Sequence, residues 1–119
     1  MLEAENTVMT GRDVTGHAET NLMRLASARF DGEFLERCTL YTSTEPCAMC
    51  AGAIFWGNVR RVVFALSQEE IRRISSGNPE NFQLEIACRD LFAYGDHEVE
   101  VSGPHLLEEA QAVHDGFWD

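Results

Sequence analysis

The pattern of apolar and polar positions changes its period several times along the chain, and each change predicts a new element. Alternation with a period of two is typical of strands, and apolar residues three or four apart are typical of helices. The strand pattern, or a short buried apolar run, covers residues 2–5, 38–43, 61–66 and 99–101. The helical pattern covers residues 17–30, 47–56, 84–94, a segment that starts at 67 and ends between 75 and 79, and a last segment from 104 onward.

Local signals support these helix boundaries. Asp31 and Gly32 follow the first helix as a stop signal, and Pro46 stands where the first turn of a helix tolerates proline. Ser67 followed three residues later by Glu70 is a capping-box pattern, which predicts a helix start. The spacing also predicts the residues that face the core: Leu22, Leu25, Ala26 and Phe30 in the first helix, and Leu84, Ala87, Cys88, Leu91 and Tyr94 before Gly95 in the fourth.

The order of the predicted elements indicates an α/β fold. Strands and helices alternate along most of the chain, an order that favours a sheet with helices on both faces. The length of 119 residues is enough for one hydrophobic core but not for two. We therefore expect a single domain over residues 1–119.

Charge and cysteine content limit the classes of function. The net charge of −11 would repel a phosphate backbone, so nucleic acid is an unlikely partner, and the arginines at 60, 61, 72 and 73 are interpreted as solvated faces. No signal-peptide pattern precedes residue 10, and no run of about eighteen apolar residues that could span a membrane occurs. Four cysteines in such a chain favour metal binding over disulfides, so we expect a soluble cytoplasmic protein.

Two cysteines and a histidine have the residue types of a catalytic zinc site. Cys47 and Cys50 are three apart at a predicted helix N-terminus, where they can bind one ion and where the helix dipole favours thiolates. His17 would be the third ligand and would leave a fourth position to water. A closed structural site completed by Cys38 or Cys88 is the alternative, but neither belongs to a chelating pair.

Glu19, two residues after His17, supports the catalytic interpretation. In the middle of a helix, residues two apart point to nearly opposite sides, so both can serve one pocket only at a helix entrance. The loop that ends at Gly16 predicts such an entrance. Glu19 could there move protons between water and a leaving group. Its alternative role is that of a first-turn acid that offsets the helix dipole.

These motifs carry a resemblance to a known family. His17-Ala18-Glu19 together with Pro46-Cys47-Ala48-Met49-Cys50 resembles the signature of the zinc-dependent cytidine and deoxycytidylate deaminase superfamily. The flanking residues 13–16, 40–45 and 51–56 are similar to the branch of guanine, nucleoside and tRNA adenosine deaminases. The resemblance covers residues 6–66. It implies a three-layer α/β/α sandwich with a central mixed sheet, a Zn²⁺ cofactor, a homodimer, and hydrolytic removal of an amine from a nucleobase or nucleoside as ammonia.

The resemblance also implies substrate contacts. Asn6 matches a substrate-binding asparagine, although capping a turn is an equal alternative, and the backbone around Ala18 and Thr44 would contact the base edge. Trp56 after Phe55 resembles the guanine deaminase type and would line the pocket, with a core role as its alternative. Guanine or guanosine is thus the favoured substrate. A tRNA adenosine deaminase is disfavoured by the acidic segment 106–119, and a catalytically silent, zinc-stabilised subunit is the other alternative.

Compared with this superfamily, the sequence lacks elements at its start. Its members usually carry a helix and an edge strand before the position of Met1, so the resemblance predicts an N-terminally shortened domain. We expect the 2–5 strand to expose an unpaired edge, because its neighbouring strand would be missing. Phe117 and Trp118 are interpreted as a docking anchor at the other end.

Overall fold

In the computed structural model, the described residues are 2–75, 84 and 86–105. The helices are α1 (Ala18–Arg29), α2 (Gly32–Leu35), α3 (Ala48–Trp56), α4 (Gln68–Ser75) and α5 (Cys88–Phe92). The strands are β1 (Thr39–Thr44), β2 (Arg61–Leu66) and β3 (Glu100–Ser102). The predicted last helix beyond residue 105, and the predicted anchor of Phe117 and Trp118, lie outside the described residues. Within those ranges no helix is both long and apolar enough to cross a membrane.

The three described strands form one sheet in the order β1-β2-β3, and both pairs are parallel. Leu40 pairs with Val62, and Val62 pairs in turn with Val101. Helix α3 connects β1 to β2 in the strand-helix-strand unit that a parallel pair requires. The predicted α/β architecture is confirmed. An antiparallel pair, which a mixed sheet needs, is not found among the described strands.

One face of this sheet forms the core. The side chains of Leu40, Val62 and Phe64 are buried there in one cluster with residues of α1, α3 and α5, namely Met23, Ala26, Ala51, Ile54, Cys88 and Phe92. Tyr41, on the opposite face, is 70% exposed. The buried cluster therefore places α1, α3 and α5 against the first face of the sheet.

The predicted strand over residues 2–5 is wrong. A period-two pattern becomes a strand only when a neighbouring strand takes its backbone hydrogen bonds, and within the described ranges no strand pairs with this segment. Leu2 instead packs against the edge of the core, and the Glu5 carbonyl accepts a hydrogen bond from the Asn21 side chain at 2.8 Å. Tertiary contacts hold this segment without a ladder.

The structure also corrects two predicted helix faces. In α1 the buried residues include Met23 beside Ala26, whereas Leu25 is 42% exposed. The helix predicted over 84–94 is only the five-residue α5, and Leu84 and Tyr94 are 67% and 90% exposed. Short apolar runs fit more than one helical phase, so packing against neighbouring elements decides which phase is buried.

Local capping explains two helix starts. The Ser67 hydroxyl accepts a hydrogen bond from the Glu70 N–H at 3.2 Å, which confirms the predicted start of α4. Asp31 does more than end α1, because its carboxylate accepts a hydrogen bond from the Phe34 N–H at 2.9 Å. It thereby starts the short helix α2, which was not predicted from the sequence.

Candidate metal centre

His17 lies at the entrance of α1, as its spacing from Glu19 predicts. It is the N-cap residue, with extended backbone angles of φ −66° and ψ 148°, and Ala18 is the first helical residue. The loop before it is tied back on itself, since the Thr7 N–H donates to the Gly16 carbonyl at 2.6 Å. A Cβ on Gly16 would lie 2.7 Å from the Thr7 hydroxyl oxygen, so this approach needs glycine. The loop and helix together fix the position of the imidazole.

The two cysteines lie at the N-terminus of α3. Cys47 is its N-cap residue, and Cys50, in the first turn, is fully buried. The chain reaches this point directly from the end of β1, because Glu45 and Pro46 separate the strand from the helix. The N-termini of α1 and α3 thus meet at the carboxyl end of β1, although His17 and Cys47 are thirty residues apart.

The geometry of the three side chains fits a zinc ion. The Nδ1 atom of His17 lies 3.5 Å from the Sγ atom of Cys47 and 3.5 Å from that of Cys50, and all three atoms lie within 4.8 Å of one another. Zinc bonds of about 2.0–2.1 Å to nitrogen and about 2.3 Å to sulfur, at a tetrahedral angle, place the two ligand atoms roughly 3.5 Å apart. Of the side chains described, neither Cys38 nor Cys88 joins this group, so it offers three ligands rather than a closed set of four.

The two thiols share a proton unequally. The hydrogen bond from the Cys50 thiol lowers the pKa of Cys47 to about 5, and the Cys50 and Met49 backbone N–H groups and His17 act in the same direction. The pKa of Cys50 is raised, first because its thiol donates to Cys47 and then because of burial. The Cys47 sulfur is therefore already ionised when a metal cation replaces the shared proton.

Glu19 belongs to the same group of side chains. Burial raises the pKa of its carboxyl, and the negative charge of Cys47 acts in the same direction, whereas its own backbone N–H and His17 oppose the rise. The charge of Glu19 in turn contributes to the raised pKa of Cys50. The carboxylate is therefore close enough to interact with the predicted ligands electrostatically, without being one of the three clustered ligand residues.

The predicted substrate contacts divide into two groups. Asn6 precedes Thr7, which is tied to the site loop, and its own side chain accepts a hydrogen bond from the Val8 N–H at 2.9 Å. This bond is the turn cap that was the alternative role of Asn6. Ala18 begins α1 and Thr44 ends β1, so both lie next to the ligand-bearing segments.

The structure does not bring Trp56 to the metal ligands within one chain. It is the last residue of α3, nine residues from Cys47, which corresponds to about 14 Å along a helix. Its ring is 85% exposed and contacts Phe55 edge to face, with the centroids 5.6 Å apart. Its predicted contact with substrate stays a prediction.

Three residues with a role at this site have no signal in the hydrophobic pattern. The Asn21 amide donates to the Thr7 hydroxyl at 2.9 Å and to the Gly16 carbonyl at 3.2 Å, which holds the loop before His17. The Thr20 hydroxyl donates to the Cys50 sulfur at 3.1 Å. The third is Glu45, whose place directly before Pro46 and Cys47, between a strand and a buried helix, is the only sequence feature that could have drawn attention to it.

Glu45 is a buried carboxylate that holds the cysteine segment. It is 9% exposed, and its two oxygens accept hydrogen bonds from the Gln68 N–H at 3.0 Å and the Cys88 N–H at 2.8 Å. These N–H groups are at the starts of α4 and α5, where the helix leaves them without an internal partner. The carboxylate therefore joins three segments of the chain beside the site.

We expect Glu45→Gln to lower the free energy of unfolding by about 2–3 kcal/mol, because an amide has only one acceptor oxygen and leaves one buried N–H without a partner. Urea denaturation of the variant measures this loss. The control is Glu36→Gln, which removes an exposed ion pair with Arg60 at 3.5 Å and should change stability by less than about 1 kcal/mol. Equal effects of the two substitutions would contradict the role of Glu45.

Comparison with known proteins agrees with this site. The sequence model of the family described as the cytidine and deoxycytidylate deaminase zinc-binding region matches residues 1–66. A Schizosaccharomyces pombe protein named a probable cytosine deaminase is 48% identical over 120 residues, which cover 100% of this chain and 72% of that protein. The guanine deaminase of Bacillus subtilis is 44% identical over 63 residues, which cover 53% of this chain and 40% of the relative.

A solved structure extends the similarity beyond the matched motifs. The guanine deaminase of Nitrosomonas europaea superposes with a TM-score of 0.72 at 31% identity, covering 96% of this chain and 63% of the other. This chain therefore spans less than two thirds of the length of that enzyme. The similarity reaches α5 and β3, which lie beyond residue 66.

Proposed function

The chain belongs to the cytidine and deoxycytidylate deaminase family, and from this premise we propose that it removes the exocyclic amine of a free nucleobase by zinc-dependent hydrolysis, releasing ammonia. The observation that carries the proposal is the position of the His17 Nδ1 atom, 3.5 Å from both cysteine sulfurs, with the Glu19 carboxyl in the same group. Three ligands beside a half-buried carboxyl are typical of a catalytic zinc site rather than a structural one.

His17, Cys47 and Cys50 would hold the zinc ion. Bound there, zinc would polarise a water molecule for attack on the ring carbon that carries the amine. The helix N-terminus at Cys47 and the imidazole of His17 favour the ionised sulfur, which lowers the cost of placing two thiolates in a buried site. The protein thus prepares the charge of the ligand set before the metal binds.

Glu19 would carry the protons of the reaction. Burial raises the pKa of its carboxyl, so the group gives up and takes back a proton more readily near neutral pH than an exposed glutamate does. In the proposed role its carboxylate accepts one proton from the attacking water and passes it to a ring nitrogen, and then accepts the second proton from the hydroxyl group added to the ring and passes it to the leaving amine. The first residues of α1 keep it beside the ligands throughout.

Guanine is the first substrate that we propose, with guanosine as its nucleoside form. The support is the similarity to the guanine deaminases of Nitrosomonas europaea and Bacillus subtilis, together with the Phe55-Trp56 pair. Cytosine is the second candidate, because the Schizosaccharomyces pombe relative is 48% identical along the whole chain. Both are small, uncharged bases, so neither needs a basic surface.

A tRNA substrate is less well supported. The chain has a net charge of −11. Three arginines of the adjacent pairs 60/61 and 72/73 form ion pairs with carboxylates: Arg60 with Glu36, Arg61 with Glu100, and Arg73 with Glu70. A surface that binds nucleic acid depends on basic groups free to contact phosphates. A small-molecule partner is the proposal that this distribution of charge favours.

A screen for ammonia release tests both the proposed deamination reaction and the proposed substrate. The zinc-loaded protein is incubated with guanine, guanosine, cytosine, cytidine, adenine, adenosine and a tRNA anticodon stem-loop. Release from a free base supports the function, and the ratio of kcat/KM for guanine to that for cytosine decides between the two candidates. Release from the stem-loop alone would replace the proposal by the tRNA activity. If the folded, zinc-loaded protein is inactive on every substrate, the proposal is wrong and the alternative of a catalytically silent subunit is supported.

A further inference from the structure

We propose that Thr20 is a positioning residue of the metal centre, whose hydroxyl donates a hydrogen bond to the Cys50 sulfur and so sets the orientation and electron donation of that ligand. The inference rests on the proposed ligand role of His17, Cys47 and Cys50. The Oγ1 atom of Thr20 lies 3.1 Å from the Sγ atom of Cys50, across the contact between α1 and α3.

The sulfurs of Cys47 and Cys50 face different hydrogen-bond donors. The Cys47 sulfur lies at the N-terminus of α3, next to the backbone N–H groups of Met49 and Cys50. The Cys50 sulfur lies farther along the same turn and belongs to a fully buried residue, so bulk water cannot donate a hydrogen bond to it. The hydrogen bond that it accepts comes from α1. The Thr20 hydroxyl thus provides a hydrogen-bond donor to the Cys50 sulfur, as the backbone N–H groups of the helix N-terminus do for the Cys47 sulfur.

The position of Thr20 makes this contact specific. It follows Glu19 directly and lies three residues after His17, so one turn of α1 carries a ligand, the proposed proton carrier and the hydroxyl donor. Hydrogen bonds to ligating atoms fix the ligand orientation, and their loss typically lowers metal affinity or activity by about 10–100-fold. A hydroxyl on a thiolate also lowers the energy of the sulfur lone pairs, which reduces the charge that the sulfur donates to the metal.

The experiment uses Co²⁺ as a spectroscopic probe in the full chain, with Thr20→Val, Thr20→Ser and wild type compared. Valine keeps the shape of the side chain and removes the hydroxyl, whereas serine keeps the hydroxyl. We expect the sulfur-to-cobalt charge-transfer band of Thr20→Val to move to longer wavelength. Its zinc affinity, measured by chelator competition, should fall by about 10-fold or more. Thr20→Ser should restore the wild-type band.

The matched control is Ser27→Ala, which removes a hydroxyl from the same helix that donates instead to the Met23 carbonyl at 2.7 Å. It should leave the band and the zinc affinity unchanged. If Thr20→Val fails to fold, Thr20→Ala replaces it in the same comparison. A band and an affinity equal to wild type, or a serine variant that behaves like valine, would overturn the role of Thr20 alone. A wild-type protein without a thiolate band would overturn the ligand assignment as well.

Discussion

Replacing Glu19 by alanine should reduce ammonia release by at least about 100-fold, and by up to about 10⁴-fold, while zinc content stays at the wild-type level. The carboxyl interacts with Cys47 and His17 but is not among the three clustered ligand residues, so its loss removes a proton carrier and keeps the metal. The melting temperature should change little, because burial disfavours the ionised form of this group in the folded chain. Activity, bound zinc and thermal unfolding are measured on the same preparation.

The control for this prediction is Glu33→Ala. Glu33 is also in the first turn of a helix, but it is exposed on α2 and is not part of the metal centre. It should keep full activity, which separates proton transfer from a general effect of removing a first-turn acid. Loss of zinc from Glu19→Ala would show that the glutamate supports the metal, and the proposed role would then be wrong.

Replacing Cys50 by serine should lower zinc affinity by at least about 100-fold and abolish activity with it. A hydroxyl is a poor zinc ligand that does not ionise near neutral pH, and Cys50 is fully buried, so bulk water does not reach this position to replace the sulfur. Wild type at a free zinc concentration 100 times its dissociation constant gains about 2.7 kcal/mol of stability, and the variant should lose this gain. Bound zinc and the melting temperature with and without a chelator report the two effects.

Cys38→Ser is the matched control for this experiment. Cys38 lies just before β1, is half-buried and is not in the ligand group. Its variant should bind zinc like wild type and should show the same fall in melting temperature when the chelator is added. A Cys50→Ser protein that retains zinc and responds to the chelator in the same way would contradict the ligand assignment.

Features that depend only on neighbouring residues could be predicted from the sequence. The spacing of Cys47 and Cys50 places both in one helical turn whatever the rest of the fold does. The helix entrance at His17 could be predicted for the same reason, because a ligand and a carboxyl two residues apart can share a pocket only there. The capping pattern at Ser67 also depends only on its own turn.

Features that depend on a partner distant in the chain could not be predicted from the sequence. The alternating pattern over 2–5 does not form a strand, because pairing needs a neighbour that no described element supplies. The predicted face of residues 84–94 is correct only in its middle: Cys88 is buried and Leu91 packs against the core, whereas the ends at Leu84 and Tyr94 are exposed. Packing buries Phe92 instead, four residues after Cys88. Neither result could be read from the segment alone.

By itself, the sequence determined which chemical groups this protein carries and how they are spaced locally: two cysteines in one turn, a histidine and a glutamate two residues apart, and a net charge of −11. The tertiary structure decided how these groups meet, since it brings His17 to 3.5 Å from both sulfurs across thirty residues. It also decided which side chains support them, namely Thr20 on the Cys50 sulfur and Glu45 beneath the cysteine segment. The physical reason is that ligand type and local spacing belong to short stretches of sequence, whereas hydrogen bonds between elements exist only once the elements have packed.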